Sequence, residues 1–162
     1  MSYPEPKYLG TGGEVSATFR PANEPPELPR PGGAASYLAT GASTDGKFGL
    51  YRWDMGPEPS GANAHYHRTF SESFFVLSGT VQLYDGNTWF HGRPGDFAHV
   101  PEGGLHGFRN ESGESASLLI LFVPGAPREA YFEGLVERAE GRWNPNEDEL
   151  RAFFEENDNI YV

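Results

Sequence analysis

An all-β barrel followed by a short helical tail is the fold this sequence predicts. Three observations carry the expectation. Apolar residues between positions 34 and 123 fall in short, strand-length runs. Gly (21) and Pro (14) are abundant in the 162 residues, which suits many strands joined by turns. Asp85-Gly86 is a two-residue hairpin signal between Val81/Leu83 and Trp89. The length fits one domain. Within it the sequence divides into an extended arm (1–33), a β-barrel (34–124) and a helical extension packed on the barrel (125–162).

Seven of the 14 prolines lie in the arm. Proline lacks the ladder donor and disfavours helix, so this stretch is extended. One short strand, Val15 to Arg20, is expected to interrupt it. Two readings of the arm stand: a loosely held tail, or an arm that crosses to a second subunit and covers an edge strand. In the barrel, strands are expected at Ser36–Thr40, Lys47–Asp54, Asn63–His67, Glu72–Leu77, Thr80–Tyr84, Phe97–Val100, Leu105–Asn110 and Ser117–Val123. Apolar residues on both sides of Glu72–Leu77 predict a strand covered on both faces.

After Pro124 the period changes. Tyr131, Phe132, Leu135, Val136 and Ala139 form a helical stripe, with Gly134 costing about 1 kcal/mol inside it. A second helix is expected from Asn144, with Asn144 as cap, Pro145 in the first turn and Glu147 completing a capping box. Leu150, Phe153 and Phe154 form its buried face. The tail is expected to pack on the barrel wall, with a lid over the mouth as the alternative.

Composition excludes several classes of partner. A net charge of −11 repels phosphate backbones and anionic lipid, so neither nucleic acid nor membrane is expected. The longest apolar run, Leu118 to Val123, is far short of the ~20 residues that span a bilayer. There is no cysteine, which rules out disulfides and thiolate ligands and favours a cytoplasmic setting. The N-terminus shows neither a basic start nor an apolar run, against a secretory signal.

Four side chains carry the chemistry: His65, His67, Glu72 and His106. Histidines two apart on a strand share a face and lie ~6.5–7 Å apart along it, close enough for one ion to bridge. Glu72 returns after a four-residue turn. Three imidazoles and a carboxylate suit a divalent first-row metal with open positions. The spacing is informative as a whole. The first segment reads His-x-His, four residues, Glu, six residues, Gly, preceded by Gly61 or Gly56. The second reads Gly, five residues, Pro-x-Gly, two residues, His, three residues, Asn, from Gly95 to Asn110.

These two segments resemble the paired signature motifs of the cupin superfamily. The resemblance implies a jelly-roll β-barrel of two antiparallel sheets. It also implies metal ligation by His65, His67, Glu72 and His106, and it suggests a homodimer. The stretch Pro124 to Gly134 is similar to tails of bacterial single-domain cupins grouped with quercetin dioxygenase. The implied activity is a metal-dependent dioxygenase that takes dioxygen and a small aromatic or enolisable substrate, flavonol- or diketone-like. Glu72 then has a catalytic role as ligand or general base. Iron, manganese, nickel, cobalt, zinc and copper all fit the donor set.

Asn63, Tyr51, Trp53, Phe74 and Phe108 are candidates for the substrate pocket. Asn63 shares the ligand face by strand alternation, and Phe74 and Phe108 each lie two residues beyond a ligand. Core packing is the competing reading for the four aromatics. His99 and His91 are read as packed or surface histidines. Two other functions use the same centre: metal-assisted isomerisation or cyclisation of a small carbonyl compound, and non-enzymatic binding of a metal or small molecule.

Overall fold

The computed structural model describes residues 2–162 and contains eleven strands and two α-helices. The strands are β1 (Leu28–Arg30), β2 (Gly33–Ala39), β3 (Gly49–Met55), β4 (Ser60–Tyr66), β5 (Ser71–Ser78), β6 (Val81–Tyr84), β7 (Trp89–Gly92), β8 (Phe97–Val100), β9 (His106–Asn110), β10 (Ala116–Val123) and β11 (Ile160–Tyr161). The helices are α1 (Glu129–Ala139) and α2 (Glu147–Glu156). Six strands form one sheet in the order β1-β2-β3-β10-β5-β8, and five form the other, β11-β4-β9-β6-β7. All pairings are antiparallel. Two sheets that each stay open, with a crossing strand order, are a jelly roll rather than a closed barrel.

Alternation explains how the layers meet. In β3, Tyr51, Trp53 and Met55 are buried while Arg52 between them is exposed. They join Phe74, Val76, Leu118 and Ile120 of the same sheet and Val81, Leu83 and Phe108 of the other in one core. Each such side chain contributes roughly 1.5–3 kcal/mol by leaving water.

The structure departs from the sequence expectations in five places. Val15 to Arg20 forms no strand; Val15 and Phe19 are exposed, and no neighbouring strand offers them a ladder. The arm's strand is β1, which contains Pro29 and pairs with β2 at the sheet edge, where a missing donor is tolerated. Glu72–Leu77 is not covered on both faces. Phe75 and Leu77 lie outward, 39% and 37% exposed, and Phe75 pairs with the still more exposed Phe97 of edge strand β8.

The cap of α2 is Asn146, not Asn144, and its capping-box partner is Glu149, not Glu147. Asn146 Oδ1 accepts from the Glu149 amide at 3.0 Å, and Glu149 Oε2 accepts from the Asn146 amide at 2.9 Å. The two Asn-x-x-Glu patterns overlap in sequence. Asn144, restricted by the following proline, instead donates to the Gly141 carbonyl. Finally, β11 was not expected. It pairs with β4 opposite Tyr66 and His65, which carries the chain end to the ligand strand.

Two glycines have steric work. Gly61 has φ +152°, and a Cβ there meets the Phe108 carbonyl oxygen at 2.2 Å, so the close approach of β4 to β9 requires glycine. A Cβ on Gly134 lies 2.6 Å from the Phe153 ring. The helix-weakening residue is therefore where α2 packs onto α1.

Candidate metal centre

Strand β4 and the residue after it bring His65 and His67 inward, Glu72 is the second residue of β5, and β9 begins with His106. All four side chains are buried, and one ligand atom from each lies within 4.8 Å of the others. Donors at ~2.1 Å from one ion sit up to about 4.2 Å apart, so small side-chain shifts seat an ion among them. The group can hold a metal, and its nitrogen and oxygen donors suit a divalent transition ion.

The backbone orients every imidazole. His65 Nδ1 donates to the Asn63 carbonyl at 2.7 Å, His67 Nδ1 to the Asp158 carbonyl at 2.5 Å, and His106 Nδ1 to the Gly104 carbonyl at 2.9 Å. A carbonyl can only accept, so each Nδ1 carries a proton and Nε2 is the atom turned to the centre, a donor to Glu72 when protonated and free for an ion when not. His67 Nε2 and His106 Nε2 each lie 2.8 Å from Glu72 Oε2. Burial works to raise the Glu72 carboxyl, but the hydrogen bonds from His106 and His67 prevail and hold it well below the usual carboxylate range. Burial works to lower His106, yet its bond to Glu72 raises it overall. His65 has no such partner at Nε2. Burial, aided by the His106 charge, pushes it down to about 3, so it stays neutral.

A cavity of about 700 Å³ opens onto this centre through His65 and Glu72. Of the aromatic candidates, Trp53 and Phe108 line it. Tyr51 and Phe74 do not; they are core residues. The Tyr51 hydroxyl donates to Glu129 Oε1 at 2.5 Å, and Phe74 packs against the His106 and Phe108 rings. Asn63 lines the cavity but does not share the ligand face by simple alternation. The β4–β9 register shifts between Ala62 and His65, and the extra residue breaks the parity. His99 sits on the outer side of β8, bonded through Nδ1 to Ser73 Oγ, and His91 is exposed.

The far wall comes from the tail. Tyr131, Phe132, Leu135, Val136, Leu150 and Phe154 line the cavity, so the C-terminal helices close one side of it as well as packing on a sheet. Three tail residues escaped the sequence reading. Asp158, at φ +51°, accepts from the Arg68 and Thr69 amides and the Thr69 hydroxyl through its carboxylate, which anchors the loop after His67. Arg128 and Asn159 are buried at 3% and 2% exposure and line the cavity. The only available signal was a lone arginine ahead of an apolar helix.

Comparison with known proteins agrees with this picture. The cupin domain model matches residues 51–122. Quercetin 2,3-dioxygenase of Bacillus subtilis (strain 168) is 31% identical over 116 residues, 72% of this chain. The chain spans only 34% of that enzyme's length. A predicted oxalate decarboxylase from Thermotoga maritima shares the fold at 18% identity with a TM-score of 0.53, over 57% of this chain and 80% of that one. A sugar phosphate isomerase from a cupin superfamily, from Silicibacter pomeroyi, is 26% identical with a TM-score of 0.50, over 57% of this chain and 59% of that one. Among the described residues no helix is long and apolar enough to cross a membrane. With its jelly roll and four converging donors, the chain carries a cupin domain over residues 51–122 and resembles the quercetin dioxygenase-like group.

Proposed function

We propose that the chain is a metal-dependent dioxygenase acting on a small aromatic or enolisable substrate, flavonol- or diketone-like. The convergence of His65, His67, Glu72 and His106 at the floor of an apolar cavity carries this reading. The similarity to quercetin 2,3-dioxygenase supports it. His65, His67, Glu72 and His106 would hold a divalent ion, which would supply Lewis acidity toward a substrate hydroxyl or enol. Trp53 and Phe108 flank a planar substrate, and Phe132 and Leu135 exclude water from the opposite side. Glu72, buried and lining the cavity, is the residue placed to take the substrate proton.

The test is oxygen uptake by metal-loaded protein given flavonols and diketones. Uptake with product formation is expected; no uptake with any metal or substrate defeats the reading. The likeness to the sugar phosphate isomerase favours a second one, metal-assisted isomerisation of a small carbonyl compound. Turnover that persists under argon selects it. Binding without turnover selects a non-enzymatic module.

A homodimer is part of the proposal. Phe75, Leu77 and Phe97 form an exposed apolar patch at an edge of the six-stranded sheet, and Tyr3, Leu9, Val15 and Phe19 of the arm are exposed as well. Such surfaces favour association. Sedimentation as a monomer at micromolar concentration removes this element.

A further inference from the structure

Arg128 is a buried cation with no carboxylate in contact. Its Nη1 donates to the Asn157 carbonyl at 2.6 Å and its Nη2 to Asn159 Oδ1 at 3.0 Å. No carboxylate of the described residues forms an ion pair with it; Glu72 and Asp158 act on it only from a longer range, although the chain is strongly acidic. Its Nε is buried with no hydrogen-bond partner, and so is Asn159 Nδ2. Both residues line the cavity that opens onto His65 and Glu72. The guanidinium lies 4.1 Å from the centroid of the Tyr131 ring, and the Phe70, Phe122 and Phe132 rings surround it at 5.2, 5.3 and 5.7 Å, which holds it in place. Arg30 of β1 repeats the pattern on the same cavity: it lies over Trp53 at 4.3 Å, and its Nε is also buried and unpartnered.

An unpaired buried charge and unmade buried donors are costly unless something fills them. The missing group must be an acceptor, must be small, and gains most if it is anionic. A carboxylate meets all three conditions. One oxygen takes Arg128 Nε–H, and the other takes the Asn159 amide N–H.

We infer that Arg128 and Asn159 form a carboxylate subsite, so that the substrate is an enolisable or aromatic acid held by its carboxylate at one end and presented to the four-donor centre at the other. This deepens the reading given under Proposed function and rests on the same cavity. The subsite itself needs no metal.

The variant Asn159→Asp isolates the claim. It keeps the shape and the oxygen that accepts from Arg128 Nη2, so a purely structural clamp is preserved. It also neutralises the guanidinium and places an anion where the substrate carboxylate sits. Phenylpyruvate and its methyl ester are titrated calorimetrically into protein freed of metal with a chelator. Wild type is expected to bind the acid at least about tenfold more tightly than the ester, as hydrogen bonds to a charged group imply. In Asn159→Asp that preference is expected to vanish or reverse while ester binding persists.

Equal affinity for acid and ester in wild type overturns the inference. So does failure of both probes to bind, or an acid preference that survives Asn159→Asp. Should that variant not fold, Arg128→Gln is judged by the same ratio. Because this titration is metal-free, its failure is distinct from a failure of oxygen uptake, which is read only on loaded protein.

Discussion

The two walls of the cavity hold their polar groups in opposite ways. On the strand wall each imidazole rests on a backbone carbonyl, and Glu72 Oε2 meets two of the three rings. On the tail wall Arg128 Nε and Asn159 Nδ2 are buried without partners. The first is a closed set of donors facing a common point, which is what a cation requires. The second is incomplete until a ligand arrives. A site that is orderly on one side and unsatisfied on the other is organised to hold a resident group and to receive a transient one.

The strand wall is broken most severely by His106→Ala. Metal content is expected to fall at least tenfold, since even the loss of an outer hydrogen-bond partner costs roughly 10–100-fold in affinity. The far-UV spectrum is expected to be unchanged, because the core of Tyr51, Val76, Leu118 and Ile120 is not touched. Wild-type metal content in purified His106→Ala, measured by elemental analysis, removes His106 from the ligand set.

Asp158→Ala asks whether the tail also serves the strand wall. It deletes the acceptor for the Arg68 and Thr69 amides and the Thr69 hydroxyl, while the carbonyl that orients His67 stays in the chain. A loss of about 1–3 kcal/mol in chemical denaturation is expected, with weaker metal binding as the loop after His67 loosens. Unchanged stability and unchanged affinity together mean that the tail only covers the cavity.

A third effect is read by pH, in metal-free protein. An unfolded histidine takes up its proton near pH 6.5, but folded His65 does so only near 3. The unfolded chain therefore binds the extra proton between these values, and His65's share of stability, intact above 6.5, falls as pH drops towards 3. His106 has the opposite sign, because its pKa is raised in the fold. His65→Gln is expected to flatten the acid-side decline in urea midpoints between pH 7 and 4. An identical decline in wild type and variant refutes the burial argument for His65.

The fold and the strand wall were legible because both repeat short rules. Short strand-length runs marked β3, β5 and β10, and Asp85-Gly86 marked the turn between β6 and β7. The ligand spacing follows from which strand positions face inward. Asn63 shows the limit of that rule: one extra residue in β4 is invisible as a pattern, yet it reverses the parity of everything before it. Val15–Arg20 shows another, since an apolar run becomes a strand only where a ladder partner exists.

By itself the sequence determined the all-β class, the helical tail and the identity of the four converging donors, since these depend on local period and on fixed offsets along the chain. Only the tertiary structure decided that the tail walls the cavity, that Asp158 supports His67 across ninety residues of chain, and that Arg128 is buried with no carboxylate in contact. Burial and pairing are properties of what the fold brings from afar, and no spacing within a segment encodes them.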